Sequence, residues 1–159
     1  WTSRVDRPDR PDWVIFDLDP SDGAGFAEVV ETALLVKEAL DLFGLQSFPK
    51  TSGSRGLHVL VPVARRHTYE QTRSFAAIVA AALARAHPGL VTTEWAKSKR
   101  RGVLVDANQN GPGRTTATAY SVRICPVVTV TPATAPQGTI NQIYVGETFT
   151  QTGGVAPAT

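Results

Sequence analysis

The sequence predicts a mixed α/β domain, of the α+β kind, over residues 1–123, followed by a short β-type tail over 124–159. Two observations carry this prediction. Up to residue 123, short β-prone segments alternate with two long amphipathic segments, which is typical of a mixed sheet flanked by helices. All 16 Lys and Arg lie in that part, whereas Glu147 is the only one of the 14 acidic residues that follows it. We therefore expect two compositional regions.

The first elements follow from proline, glycine and apolar spacing. Residues 1–12 are rich in proline and charge, which predicts an extended surface lead-in. A strand is expected at 13–19, with Pro20 ending it. A turn over 21–25 precedes an amphipathic helix, and Gly44 ends that helix. The apolar positions at helical spacing are Phe26, Val29, Val30, Ala33, Leu34 and Leu40.

The later elements continue the alternation. We predict strands at 46–50, 57–63, 91–95 and 102–106 from their β-branched and apolar content. Thr68 and Gln71 are spaced as a capping box, which opens a second helix that runs to about residue 87. After residue 123, the β-type segments are 127–130 and 139–149. The second helix is expected to bury Phe75, Ile78, Val79, Ala82 and Leu83.

Composition narrows the setting of the protein. The single Cys125 rules out an internal disulfide and fits a reducing compartment. No apolar run approaches the ~18–20 residues of a membrane span, and residues 1–12 do not resemble a signal peptide. We therefore expect a cytoplasmic protein without membrane association. Because the chain begins without Met and close to its first candidate site, we also expect an amino-terminal portion of the natural protein to be missing.

Carboxylates end two of the predicted strands. Asp17 and Asp19 are two residues apart, so they point to the same side of a strand. Two such carboxylates repel each other, and a hard divalent cation relieves that cost. Asp106 ends another apolar strand, and a site of three such carboxylates can support two-metal nucleotidyl transfer. Taken singly, each position is also compatible with a strand that runs into a polar turn.

Glycines, hydroxyls and basic residues supply a second candidate signal. In the segment 51–58, two glycines and several hydroxyls can cradle phosphate, Arg55 can pair with it, and His58 can orient it. The alternatives are a hairpin turn and a hydrogen-bonded strand histidine. The run 97–101 contains four cations that can neutralise triphosphate or nucleic-acid phosphates, although such a run is also typical of a solvated face.

Five short motifs together resemble the polymerase/primase domain of bacterial ATP-dependent DNA ligase D, in the archaeo-eukaryotic primase superfamily. They occur in the order of that family and at roughly its spacing, and the ordered set is more specific than any one motif. The matching stretches are Arg4-Val5-Asp6-Arg7-Pro8-Asp9, Phe16-Asp17-Leu18-Asp19-Pro20, the segment Thr51 to His58, Val105-Asp106 with Asn108-Gln109-Asn110, and Tyr120-Ser121-Val122-Arg123.

The resemblance implies a primase-like sheet and template-directed addition of nucleotides to DNA ends in non-homologous end joining, with Mn²⁺ or Mg²⁺. The implied partners are nucleoside triphosphates, DNA ends, a ligase domain and an end-binding protein, and the implied location is the bacterial cytoplasm at the nucleoid. The metal-binding carboxylates would be Asp17, Asp19 and Asp106. The nucleotide-binding residues would be Ser52, Arg55, His58, Gln109, Arg123 and a basic residue of 97–101, for which we take Lys99 and Arg100.

The chain also departs from the family pattern. We expect the part of the family that precedes residue 1, and helps to bind the DNA end, to be missing, and likewise the segment that closes the domain after Arg123. Residues 124–159 instead resemble the opening of a bacterial immunoglobulin-like repeat. These departures leave open a chimeric gene, and a remnant that binds nucleotide or DNA without turnover.

A haloacid-dehalogenase-type phosphohydrolase is the main alternative, because Phe16 to Pro20 also resembles the first motif of that family. Pro20 stands where that family has glycine, and the segment 52–58 stays unexplained by it. Release of inorganic phosphate from a phosphomonoester would favour it. The roles would be Asp17 as nucleophile, Asp19 as acid/base, Thr51 or Ser52 and Lys97 on the phosphate, and Asp106 on Mg²⁺.

Overall fold

The computed structural model describes residues 1–117, 128–130 and 149–151. The chain divides into two compact units, Trp1–Ala119 and Tyr120–Thr159. The boundary that composition predicts near residue 123 stays a prediction, and Arg123 itself lies outside the described residues. No helix in the described part is long and apolar enough to cross a membrane.

The first unit contains a five-stranded mixed sheet, as the sequence predicts. The strand order is β2-β3-β1-β5-β4, with β1 in the middle. β1 is antiparallel to both β3 and β5, β2 is antiparallel to β3, and β4 is parallel to β5. The strands are β1 (Trp13–Pro20), β2 (Phe48–Thr51), β3 (Leu57–Pro62), β4 (Val91–Thr92) and β5 (Val103–Asp106).

Two helices, α1 (Phe26–Asp41) and α2 (Tyr69–Ala86), pack against the sheet. The predicted capping box opens α2: the backbone N–H of Gln71 donates to Thr68 Oγ1 at 3.2 Å, and that of Thr68 donates to Gln71 Oε1 at 2.9 Å. Such a cap satisfies donors that have no partner within the helix. The ring of Phe75 on α2 meets Phe16 of β1 edge to face, with centroids 6.3 Å apart.

The helices exist as predicted, but the buried faces differ in part. On α1, Phe26 and Leu34 are 50% and 55% exposed, and on α2 Ile78 is 69% exposed. A helix packed on a sheet buries one narrow stripe, and residues one position off that stripe are rotated away by about 100°. The buried stripes are Val29, Ala33, Val36 and Leu40 on α1, and Ala76, Val79, Ala80 and Leu83 on α2.

Two local expectations were wrong. Residues 1–12 are folded back rather than extended: Ser3 bridges Pro11, and the backbone N–H of Asp12 donates to Thr2 O at 2.7 Å. The strand expected at 91–95 ends at Thr92, whose hydroxyl accepts from the backbone N–H of Glu94 at 3.0 Å. Such a side-chain hydrogen bond offers the backbone a turn instead of a longer strand.

In the second unit, the described residues form an antiparallel pair of short strands. These are β6 (Val128–Val130) and β7 (Phe149–Gln151). β6 falls within the first β-type segment predicted for this region, and β7 begins at the end of the second.

Candidate functional site

Asp17 lies at the centre of a row of polar residues across three strands. The pairing register sets it opposite His58 on β3 and opposite Asp106 on β5. Residues directly opposite one another in antiparallel strands share a face, and Asp19 shares it because it follows two residues later. The structure therefore brings all three candidate carboxylates and His58 to one face of the sheet, away from the face that carries Phe16.

The carboxylates experience one another's charge. Partial burial, followed by the charge of Asp17, raises the pKa of Asp19. Burial is also the main cause of the raised pKa of Asp106, with hydrogen bonds from Asn108 acting against it. Arg100 lowers both pKa values through its charge. A bound cation would favour the ionised forms of both carboxyl groups more strongly.

Two buried polar atoms beside Asp17 lack a hydrogen-bond partner. The ring atom Nε2 of His58 lies 3.3 Å from Asp17 Oδ1, and the amide Nε2 of Gln109 donates to Asp17 Oδ2 at 3.4 Å. His58 Nδ1 and Gln109 Oε1, at the other side of each group, are buried without a partner in the described structure. Since native proteins rarely leave such atoms unsatisfied, they indicate a place for a polar ligand.

The loop after β5 is held by asparagines whose importance the sequence analysis missed. Asn110 is 2% exposed, its Oδ1 accepts from the backbone N–H of Ile15 at 2.8 Å, and its Nδ2 donates to Ile15 O at 2.7 Å. The side-chain amide of Asn110 thus makes the two hydrogen bonds to Ile15 that a continuation of β5 beyond Asp106 would otherwise make. Gln109 is thereby held next to Asp17. The repeated asparagine after a strand was the available signal.

The predicted phosphate cradle lies against Asp19. The loop closes through a hydrogen bond from the backbone N–H of Ser52 to Gly56 O at 3.1 Å. A Cβ atom at Gly56 would stand 2.4 Å from Leu18 O and 3.4 Å from Asp19 Oδ1. Only glycine allows this close approach, which brings the hydroxyl-rich loop to the carboxylate.

A cleft of about 240 Å³ opens beside the cradle and Asp19. Its cations are Arg55, Lys97 and Arg100. Arg100 is buried and held by hydrogen bonds from its guanidinium to Glu94 O at 3.1 Å and Trp95 O at 2.9 Å. Arg55 is exposed and lies 3.6 Å from Asp22 Oδ1. Three cations at one end of an acidic face suit a polyanion that also contacts the carboxylates.

The other candidate basic residue lies elsewhere. Lys99 lines a separate open cavity of about 630 Å³ together with Trp95 and Arg101. The backbone turn from Ala96 to Arg100 alternates the side chains of the basic run between the two cavities. The structure therefore brings Lys97 and Arg100 to the carboxylates, and it does not bring Lys99 there.

The donor set suits a hard divalent cation, because it consists of carboxylate oxygens. For Asp19 and Asp106, burial and repulsion between carboxylates raise the pKa, and a bound cation would oppose both effects. Within residues 1–117, however, no group of three or more His, Cys, Asp or Glu side chains is arranged to hold a metal ion. The three aspartates share a face, but their side chains as they stand do not form a closed ligand set.

The fold is shared with part of a solved polymerase domain. The structure is similar to the polymerase domain of Mycobacterium tuberculosis ligase D in complex with DNA, with a TM-score of 0.67 and 40% sequence identity. The match covers 72% of this chain and 40% of that one. The described unit is thus part of a polymerase-type α/β domain.

The chain belongs to the family of the LigD primase-polymerase domain, whose family model matches residues 1–136. It is 36% identical over 124 residues to the multifunctional non-homologous end joining protein LigD of Pseudomonas aeruginosa, and 41% identical over 111 residues to that of M. tuberculosis. These matches cover 77% and 69% of this chain and 15% of either relative. The family is one of nucleotidyltransferases, so the phosphohydrolase alternative is not favoured.

Proposed function

We propose that this chain carries the core of a site that transfers nucleotides to DNA ends during non-homologous end joining. The observation that supports this most strongly is the placement of Asp17 between His58 and Asp106, with Asp19 on the same face of β1. The shared polymerase fold supports it independently.

In this proposal Asp17, Asp19 and Asp106 hold Mn²⁺ or Mg²⁺. With the metal bound, such a site favours ionisation of the primer 3′-hydroxyl and neutralises the departing pyrophosphate. Gln109 and His58 flank Asp17 and restrict the orientation of its carboxylate. His58 would donate from Nδ1 to a phosphate oxygen only as an imidazolium, because the neutral ring that donates from Nε2 to Asp17 has no N–H at Nδ1.

The cradle and the cleft would bind the incoming nucleoside triphosphate. In this proposal Arg55 and Arg100, which line the cleft, neutralise the phosphates and keep the triphosphate in line for attack. Ser54 and Gly56 of the cradle also line the cleft, whereas the role of Ser52 on the phosphates is proposed from the family pattern. Arg55 would exchange Asp22 for the phosphate. Lys97 joins Arg55 and Arg100 as a cation of the cleft. Roles for Lys99 and Arg123 on the nucleotide remain proposals from the family pattern, and Lys99 lines the separate cavity rather than this cleft.

DNA ends are the proposed second substrate, and a ligase domain and an end-binding protein are the proposed partners, in the bacterial cytoplasm at the nucleoid. The solved relative was determined in complex with DNA. The chain spans 15–19% of the curated LigD relatives that it matches, so these assignments extend beyond its own residues.

A second candidate is nucleotide binding without turnover. It is favoured by one observation, namely that the described residues do not hold a ready-made group of metal ligands. Binding of Mn²⁺ and ATP without extension of a gapped duplex would identify this case.

Calorimetric titration of Mn²⁺ and ATP into the wild-type chain, Asp17→Ala and Asp106→Ala tests the proposal. We expect each variant to lose at least about 10- to 100-fold in affinity, the loss caused even by mutating an outer partner of a metal. Glu31→Ala, which removes an exposed carboxylate on α1, is the control and should bind as the wild type does. Equal affinity in all four folded proteins would overturn the proposed site.

Primer extension with release of pyrophosphate would then identify polymerase activity. Release of inorganic phosphate from a phosphomonoester, without extension, would instead support the phosphohydrolase chemistry.

A further inference from the structure

The row of polar residues across the sheet extends to a fourth strand. Lys50 on β2 pairs with His58 on β3, which pairs with Asp17 on β1, which pairs with Asp106 on β5. Since opposite residues share a face, Lys50 lies on the site face. It is also the only residue of β2 that is partly buried, while the other three are exposed.

The dimensions of a sheet bring Lys50 within reach of ligands bound at Asp17. Neighbouring strands lie about 4.8 Å apart, so the two backbones are roughly 10 Å apart. The four-carbon stem of a lysine spans much of that distance across His58. In the structure Lys50 Nζ donates to Thr51 O at 2.6 Å, and no carboxylate of the described residues lies within ion-pair distance of it.

The environment of Lys50 favours an anionic ligand. Burial lowers the pKa of Lys50, and the charge of Asp17 acts in the opposite direction. The charge of Asp17 thus reaches this ammonium group, but it offsets the effect of burial only in part, because the pKa of Lys50 stays lowered. A phosphate oxygen would offset the rest of that effect.

The position of the other cations indicates which phosphate of a nucleoside triphosphate would contact Lys50. Arg55, Lys97 and Arg100 lie in the cleft at the Asp19 end of the face. Asp17 is two residues from Asp19 on the same face of β1, roughly 7 Å along the strand. A triphosphate that runs from the cleft along this face would place its α-phosphate beside Asp17, where Lys50 is the cation on the other side of His58. Resting on the proposed function, we infer that Lys50 binds the α-phosphate of the nucleotide beside Asp17, one residue pair along the sheet from the loop that carries Arg55.

Three ligands distinguish this role from a general effect of charge, namely ATP, AMP and inorganic pyrophosphate. Each is titrated together with Mn²⁺ into four folded proteins: the wild type, Lys50→Ala, Lys50→Arg and Arg55→Ala. We expect Lys50→Ala to lower the affinity for ATP and for AMP by about tenfold. The affinity for pyrophosphate should stay within about twofold of the wild-type value, because only ATP and AMP carry an α-phosphate on a nucleoside. Arg55→Ala should weaken ATP and pyrophosphate more than AMP. Lys50→Arg should recover most of the ATP affinity.

Lys37→Ala is the matched control, because it removes one exposed lysine charge from α1. Titration with Mn²⁺ alone should give the same affinity for Lys50→Ala and wild type. Three outcomes would overturn this inference and leave the proposed function standing. The affinity for ATP could fall equally in Lys37→Ala and Lys50→Ala, or Lys50→Ala could lose equal affinity for pyrophosphate and for AMP. Lys50→Ala could also lose affinity for Mn²⁺ alone. A folded wild-type chain that binds no ATP would overturn the proposed function and this inference with it.

Discussion

The two faces of β1 differ in what they contribute to the protein. Phe16 and Leu18 are fully buried and face the helices, while Asp17 and Asp19, between and beyond them in sequence, face the candidate site. A step of one residue therefore passes from the core to the site, because side chains alternate along a strand. Stability and ligand binding are thus carried by neighbouring residues whose effects can be separated by mutation.

The contrast has a thermodynamic side. The core face removes apolar area from water, which is favourable at roughly 25 cal/mol per Å². The site face brings carboxylates together and partly desolvates them, which raises the pKa of Asp19 and Asp106 and disfavours their ionised forms. We therefore expect core mutations to unfold the chain and some site mutations to stabilise it.

The largest effect is expected from Phe16→Ala on the core face. Phe16 is 0% exposed and packs edge to face on Phe75, so its truncation leaves a cavity and should cost about 3–5 kcal/mol of unfolding free energy. Urea denaturation followed by circular dichroism measures the loss. Phe26→Ala removes the same side chain from a half-exposed position on α1 and should cost much less. Similar losses for both would contradict the assignment of the buried face.

An intermediate effect is expected from Asn110→Ala, where the site face is tied to β1. This change leaves the N–H and C=O of Ile15 without the side-chain partner that they have in the structure, and should cost about 2 kcal/mol. Amide hydrogen exchange at Ile15 should accelerate. Asn108→Ala, which removes a partner of Asp106 instead, should leave exchange at Ile15 nearly unchanged. Protection of Ile15 that survives in Asn110→Ala would argue against the substitute strand partner.

The smallest effect, and the only stabilising one, is expected from Asp19→Asn without metal. The pKa of Asp19 is higher in the folded chain than in the unfolded chain, where it is about 3.9. Asp19 therefore stabilises the fold fully below about pH 3.9, and this stabilisation is lost as pH rises through the folded-state pKa. Because asparagine does not ionise, Asp19→Asn should remove the part of the fall in unfolding free energy with rising pH that is due to Asp19.

At neutral pH the unfolding free energy of Asp19→Asn should exceed that of the wild type by less than about 1 kcal/mol, since solvent screens the charge of the exposed Asp19. Thermal melts from pH 3 to 8, with chelator present, measure it. With Mn²⁺ added, the order should reverse in favour of the wild type. A variant that melts lower than wild type without metal would show that the charge of Asp19 is favourable in the fold.

Local features of the first unit could be read from its residues. Alternation along a strand is a property of backbone geometry, so Asp17 and Asp19 share a face in any sheet. The capping box at Thr68 and Gln71 likewise depends on residues three apart. The alternation of segments predicted the mixed α/β class, which the sheet confirms.

Positions that depend on distant neighbours could not be read in this way. Periodicity indicated an amphipathic α1 but not that Val36 faces the sheet while Phe26 is half exposed, since that depends on how the helix is rotated against β1. The basic run carried the same ambiguity, because only the turn after Ala96 separates Arg100 from Lys99.

The sequence by itself determined the class of the fold, the strands that end in carboxylates and the glycine-rich cradle, because these follow from local geometry and residue chemistry. The tertiary structure decided that β3 and β5 both flank β1. This order places His58 and Asp106 on either side of Asp17 and brings Lys50 into the same row. Strand order is set by packing over the whole sheet, and no local pattern contains it.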